Sequence, residues 1–213
     1  MSFSSTDGAF CVYNSNANDP VNIYIDIQGY FTSSATGASS YTPVPPVRIC
    51  DTRSTIGGAL LRDVTSGVTG QCDNSGNPVG ASSTLTSSTL TSSTLTSSTL
   101  TVNIPSSLNI PSNATAIVVN VVIVGATSGG YATVYNGGTR PSTSNLNWGA
   151  ASDYPPCNTP STSGNTPKIA CKIPNISNMV VVPISQSTSS FSIYSSSSAN
   201  VVVDVYGYYS PAS

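Results

Sequence analysis

The chain lacks histidine and glutamate altogether, and charged side chains of any kind are scarce. Only 7% of its 213 residues are charged, with six basic and eight acidic side chains, and every acidic residue is aspartate. Without histidine, neither a Ser-His-Asp nor a Cys-His nucleophile system can be built. Without glutamate, paired-carboxylate catalysis would need two of the eight aspartates. We therefore expect a protein that is not an enzyme and that carries no cofactor and no metal. The alternatives are an aspartate-pair glycosidase and a calcium site with oxygen ligands from residues 73–77.

Two further absences concern partners. The six basic residues are scattered, so the sequence has no basic stripe of the kind that binds nucleic-acid phosphates. No apolar run approaches the roughly 18 to 20 residues that span a bilayer, and residues 1–5 lack the features of a signal peptide. We expect neither nucleic acid nor a membrane as partner, and a secreted chain of this sequence would be a mature form or a fragment.

The residues that are abundant favour strands and turns. Hydrophobic residues make up 38% of the chain, enough for a core, and serine, threonine, asparagine, glycine and proline dominate the remainder. Residues 117–124 are apolar on both faces apart from Asn120, as expected of a central strand. The pattern predicts an all-β protein, an antiparallel β-sandwich of jelly-roll or Ig-like type over residues 33–213.

The two ends of the chain share a motif. Residues 10–13 (FCVY) and 21–31 (VNIYIDIQGYF) correspond to residues 191–194 (FSIY) and 200–209 (NVVVDVYGYY). We interpret each copy as a β-hairpin, so that residues 1–32 form an extra N-terminal β-hairpin. Because side chains alternate along a strand, its apolar face shares the spacing of the C-terminal copy. Seven residues of this hairpin are candidates for contact with another surface, and we call them the assembly residues: Phe10, Val12, Ile23, Ile25, Ile27, Tyr30 and Phe31.

This N-terminal hairpin needs a surface on which to dock. Leaving its large apolar side chains in water would forgo about 1.5 to 3 kcal/mol for each of them. Three locations remain open: the sheet edge of a neighbouring subunit, the chain's own sandwich, or a preceding domain. We favour the neighbour, because head-to-tail strand addition that does not close into a ring produces a fibre of identical subunits.

Residues 82–101 contain four tandem copies of the sequence SSTLT. An odd period cannot keep successive leucines on one face of a flat strand, so we expect a low-complexity insertion over residues 73–101 whose last copy enters a strand before Pro105. A stacked or stalk-like repeat is the alternative.

The density of hydroxyl groups in the repeat fits O-glycosylation, with candidates at Thr84, Thr86, Thr89, Thr91, Thr94 and Thr96. Two sequons add N-glycosylation candidates at Asn113 and Asn175, the alternative being a plain hydroxyl surface.

The five cysteines fall into two close pairs and one remainder. We predict disulfides between Cys50 and Cys72 and between Cys157 and Cys171, in an oxidising, extracellular compartment, with Cys11 left over. Buried thiols are the alternative.

The nearby segment Asp51-Thr52-Arg53, together with Arg48, has charges suited to a binding site, but a buried Asp–Arg pair that fixes a turn is the favoured interpretation.

Residues 41–53 (YTPVPPVRICDTR) and the two ends of the form Asp-Val/Ile-x-Gly-Tyr-aromatic resemble a repeat domain of secreted bacterial surface proteins. Further motifs of that family follow in order at residues 110–121, 131–135, 144–147, 180–183 and 203–209. The resemblance implies a β-sandwich module with no catalytic residues. The SSTLT insertion and the extra hairpin depart from it. The composition also looks like that of protomers in heavily glycosylated extracellular fibrils.

Together these expectations describe a glycosylated structural subunit, located outside the cell or on its surface, that polymerises with itself. The alternative is a carbohydrate-binding or spacer module of a secreted bacterial protein. For sugar binding, seven aromatic residues would have to form a stacking platform; we favour packing instead. The residues concerned are Tyr24, Tyr30, Phe31, Trp148, Tyr206, Tyr208 and Tyr209.

Overall fold

The computed structural model describes residues 37–53, 72, 84–86, 99–154, 173–184 and 190–211, together with Ala9, Ile25, Ile27 and Tyr30. These parts of the chain contain nine strands and two single-turn 3-10 helices at Ser106–Leu108 and Ala151–Asp153. The strands are β1 (Ser39–Asp51), β2 (Thr84–Thr86), β3 (Thr99–Asn103), β4 (Ala116–Val124), β5 (Gly130–Tyr135), β6 (Leu146–Trp148), β7 (Ile176–Pro183), β8 (Ser190–Ser195) and β9 (Asn200–Pro211).

The strands form two sheets that pack face to face. The four-stranded sheet has the order β1-β9-β4-β7, and the five-stranded sheet has the order β2-β3-β8-β5-β6. All pairings are antiparallel except β2 with β3. On one side of the sandwich β1 lies against β3, and on the other β7 lies against β5 and β6. The predicted all-β sandwich is confirmed.

The core lies between the sheets and is built from alternating apolar residues. On β4, which is hydrogen-bonded to β9 on one side and β7 on the other, Ile117, Val119, Val121 and Ile123 are at most 1% exposed. Burial of such a side chain contributes about 1.5 to 3 kcal/mol. Val118, on the opposite face of the strand, is also buried. The prediction of a central strand here, apolar on both faces, is confirmed.

The C-terminal copy of the duplicated motif is not a hairpin, so that interpretation is wrong. Its two strands, β8 and β9, do not pair with each other: β8 pairs with β3 and β5, while β9 pairs with β1 and β4. The intervening residues 196–199 form an arch that carries the chain from one sheet to the other. Ser197 and Ala199 are buried within the arch, where the Ser195 hydroxyl donates to the Ser197 carbonyl at 2.6 Å. Both strands therefore direct apolar side chains into the same core.

The SSTLT repeat contributes to the five-stranded sheet at both of its ends. The last copy enters β3 before Pro105, as predicted, and Leu100 is fully buried. The first copy forms β2, which runs parallel to β3 with Leu85 opposite Leu100. The two copies thus lie side by side, an arrangement closer to the stacked alternative than to a wholly exposed insertion. Residues 73–83 and 87–98 lie outside the described residues.

Both helices in the described part are single turns, and no helix there is long and apolar enough to cross a bilayer.

Candidate functional sites

A chain of four charged side chains joins β1 to β9. Asp51 has a fully buried side chain and accepts hydrogen bonds from the Arg53 guanidinium at 2.9 and 2.6 Å. Arg48 contacts Asp51 at 3.4 Å and binds both oxygens of Asp204, at 2.9 and 3.2 Å. The hydrogen bonds to Asp204 and to Asp51 raise the pKa values of Arg48 and Arg53, respectively. The predicted buried Asp–Arg pair is confirmed.

Thr52 completes this junction. It is fully buried, its backbone N–H donates to the Val201 carbonyl at 3.0 Å, and its hydroxyl accepts from the Val201 N–H at 2.8 Å and donates to Asn200 at 3.2 Å. Thr52 therefore fastens the end of β1 to the start of β9, while Asp51 holds Arg48 and Arg53 beside this junction.

A disulfide reinforces the same end of β1. Cys50 and Cys72 are bonded, both are fully buried, and their Cα atoms are 5.3 Å apart, within the usual range for such bridges. This predicted pairing is confirmed. Cys11, Cys157 and Cys171 lie outside the described residues, so the second predicted bridge stays a prediction.

Gly207 on β9 explains the glycine of the duplicated motif. A Cβ atom at this position would lie 2.5 Å from the Thr42 carbonyl oxygen and 2.5 Å from the Tyr41 ring. Tyr41 reaches across β9, donates its hydroxyl to the Tyr206 carbonyl at 2.9 Å and packs against Tyr209 at 5.4 Å between ring centroids. Glycine is therefore required where the β1 backbone and an aromatic ring approach this closely.

Three of the seven assembly residues lie in the described part of the chain. Ile25 is 57% exposed, Ile27 is 81% exposed and Tyr30 is 83% exposed. The remaining four, Phe10, Val12, Ile23 and Phe31, lie outside it. Within a single chain, the apolar side chains of Ile25 and Ile27 thus remain largely in contact with solvent.

The two sequon asparagines are accessible. Asn113 is exposed in the turn before β4, and Asn175 is exposed immediately before β7. Of the O-glycosylation candidates, Thr84 and Thr86 belong to β2, but their side chains lie outside the described part. Thr89, Thr91, Thr94 and Thr96 lie outside it entirely.

Trp148 does not contribute to an aromatic sugar platform. It is 6% exposed, it belongs to the core, and its Nε1–H donates to the Ser128 carbonyl at 2.9 Å. The expectation that this aromatic residue packs, rather than stacks on a sugar, is confirmed.

Sequence reasoning missed a polar pocket on the outer face of the five-stranded sheet. A cavity of about 350 Å³ opens between β5, β6 and the loop that connects them. Its lining residues are Tyr131, Arg140, Ser142, Thr143, Ser144 and Asn147. The Arg140 guanidinium lies 4.0 Å from the centroid of the Tyr194 ring, which packs against Tyr131 at 5.7 Å. Alternation could have put both tyrosines on outward faces, but not beside each other, because the pairing of β5 with β8 was unknown.

Across the described residues, no group of three or more histidine, cysteine, aspartate or glutamate side chains could hold a metal ion. Comparison with known proteins gave no match to a family model, to a curated protein or to a solved structure, so the family resemblance stays a prediction.

Proposed function

We propose that this chain is a structural subunit of an extracellular, glycosylated fibril or surface assembly, joined head to tail through its N-terminal segment. One observation carries the proposal. The sandwich already contains β9, hydrogen-bonded to β1 on one side and to β4 on the other, so the place of this motif is filled. The second copy of the motif is additional, and its Ile25 and Ile27 remain exposed.

Burial of Ile25 and Ile27 would supply free energy for assembly. Transfer of a large aliphatic side chain from water to an apolar surface contributes about 1.5 to 3 kcal/mol. Covering Ile25 and Ile27 with a neighbouring subunit would contribute at most this free energy for each side chain, since both are already partly covered. The backbone hydrogen bonds of an added strand would contribute as well. Because the contact is between different surfaces of two identical chains, it can repeat without closing and so extend a fibre.

The surroundings of β9 indicate what an acceptor must supply. Asp204 is paired with Arg48, and Gly207 lies beneath Tyr41. The N-terminal copy has Asp26 and Gly29 at the corresponding positions. We expect the acceptor to offer a cation to Asp26 and a close backbone or ring to Gly29. Since β8 and β9 enter different sheets, the N-terminal copy is expected to add one strand to each sheet of its neighbour.

The location outside the cell rests on two properties. The buried Cys50–Cys72 disulfide is typical of proteins that fold in an oxidising compartment. With only 7% charged residues, the surface has little charge to keep an assembly soluble. Glycans on the exposed Asn113 and Asn175 would supply that solvation.

The test compares three forms of the full-length protein by light scattering and electron microscopy. The unmodified chain is expected to form filaments, and Ile25→Asp/Ile27→Asp is expected to remain monomeric, because a buried unpaired carboxylate opposes docking. Ser106→Asp/Ser107→Asp adds the same charge at two exposed positions and should still assemble. Removal of residues 1–32 should likewise leave a folded monomer.

Two results would contradict the proposal. Filaments from the Ile25→Asp/Ile27→Asp variant would mean that assembly uses another surface. A monomeric unmodified chain would favour the spacer alternative.

A further inference from the structure

We infer that the pocket around Arg140 binds a sugar that carries a carboxylate group, such as a uronic acid residue of an acidic glycan. The pocket belongs to the outer face of the five-stranded sheet and contains none of the N-terminal assembly residues. The inference goes beyond the assembly proposal and does not depend on it.

The pocket contains one cation, Arg140, which suits a carboxylate ligand. Of the three arginines in the described part of the chain, Arg48 and Arg53 are paired with aspartates, whereas Arg140 has no carboxylate partner there. Its guanidinium stacks on the Tyr194 ring, and Nη1 donates to the Tyr131 hydroxyl at 3.4 Å. A guanidinium has five N–H donors, so an edge remains for the two parallel hydrogen bonds that a carboxylate accepts.

The loop that carries Arg140 is held to β5 by hydrogen bonds. The Thr133 hydroxyl donates to the Thr143 carbonyl at 2.6 Å, and the Val134 N–H donates to the Asn145 side chain at 2.6 Å. Gly137 and Gly138 have φ values of 96° and 70°, which allow the loop to turn back over the sheet. A cation held in place by stacking and by a fixed loop loses little conformational freedom when a ligand binds.

The other lining residues of the pocket carry hydroxyl and amide groups. Ser142, Thr143 and Ser144 supply hydroxyl groups, and Asn147 supplies an amide whose oxygen is hydrogen-bonded to Ser144 at 3.1 Å. These groups exchange hydrogen bonds with a polyol. The cavity of about 350 Å³ is at the small end of ligand sites, the size of a monosaccharide or a small disaccharide.

Other ligands fit less well. A nucleic acid would need several cations, and Arg140 is the single cation among the lining residues. A free amino acid would bring an ammonium group, and none of the lining residues has a carboxylate to receive it. A neutral sugar would leave the guanidinium without its preferred partner.

The test uses saturation-transfer NMR, which detects bound ligand whether the protein is monomeric or assembled. The probes are methyl glucuronide and methyl galacturonide, with methyl glucoside and acetate as matched controls. We expect at least one uronide to bind with a dissociation constant of about 1 mM, as a ligand of this size at modest efficiency should, and both controls to bind at least about tenfold more weakly.

Two variants locate the site. Arg140→Gln should weaken uronide binding by about tenfold or more, because the charged fork is lost. Arg140→Lys keeps the positive charge but loses the forked pair of N–H donors, so its affinity for the uronide should lie between those of the unmodified protein and Arg140→Gln. Arg140 is exposed, so neither change should affect folding, which the protein's own spectrum checks.

The inference would be overturned if neither uronide showed saturable binding at concentrations up to about tenfold above the expected dissociation constant. Equal binding of methyl glucoside or acetate would also overturn it, and so would unchanged uronide binding by Arg140→Gln.

Discussion

Removal of the Cys50–Cys72 bridge is the sharpest test of how this sandwich is held together. The change is Cys50→Ala/Cys72→Ala, which leaves no unpaired thiol at either position. The two residues are 22 apart in sequence. In the chain-entropy model, a closed loop of that length removes about 11 cal/mol/K from the unfolded state, or about 3.4 kcal/mol at 25 °C. Loss of two fully buried sulfur atoms adds a smaller packing penalty.

We therefore expect the free energy of unfolding to fall by about 3 to 4 kcal/mol. A domain of this size shifts its melting temperature by about 2 to 4 °C per kcal/mol, so the midpoint should fall by roughly 10 °C. Urea denaturation followed by tryptophan fluorescence measures the free energy of unfolding, because the single tryptophan, Trp148, is buried in the core and reports global unfolding. Cys11→Ala is the control and removes no predicted bridge.

A loss below about 1 kcal/mol in the double variant would refute the entropic reasoning. Peptide mapping that found free thiols at Cys50 and Cys72 in the native protein would show that the bridge is absent. The argument for an oxidising compartment would then lose its structural support.

Three further predictions concern other parts of the molecule. Asp51→Asn should lower the free energy of unfolding by about 2 to 3 kcal/mol, because two arginines lose a buried partner, although both can still reach solvent; an unchanged urea midpoint would mean that water replaces the lost ion pairs. Gly207→Ala should cost about 1 to 3 kcal/mol, and removal of the Tyr41 ring in addition should not restore stability, because the clash with the β1 backbone remains; full recovery would contradict this. In material from the native source, Asn113→Gln and Asn175→Gln should each remove one glycan from the intact mass, whereas masses that differ only by the substitution would refute N-glycosylation.

Local pattern was sufficient for the centre of the fold. Apart from Asn120, the run over residues 117–124 is apolar on both faces. In β4 the inward face is buried in the core, and Val118 is buried on the outward face, between the neighbouring strands β9 and β7. The Cys50–Cys72 pairing was predictable because the two cysteines lie only 22 residues apart in sequence. The Asp51–Arg53 ion pair was predictable because a chain so poor in charge offers each of them few other partners.

Pairing between distant strands was not predictable in this way. The motif of residues 191–209 has the alternation of two strands, and alternation is the same whether they pair in one sheet or enter two. The signal that could have separated them is the connection: residues 196–199 contain no Asn-Gly or Gly-x turn of the kind that two-residue hairpins require. The Arg140 pocket was missed because it depends on the alignment of Thr133 with Tyr194 across two strands.

The β1–β9 ladder also determines how this domain would bear mechanical tension. Its first rung joins Ser39 to Pro211 and its last joins Asp51 to Val202, so the chain enters and leaves the sandwich at the same end. A pull between those two points would open the ladder one rung at a time instead of shearing all rungs together. The Arg48–Asp204 pair and the Cys50–Cys72 bridge stand toward the far end. Separation that began at the open end would therefore reach the Arg48–Asp204 pair late, and the hydrogen bonds of Thr52 to Val201 and Asn200 last.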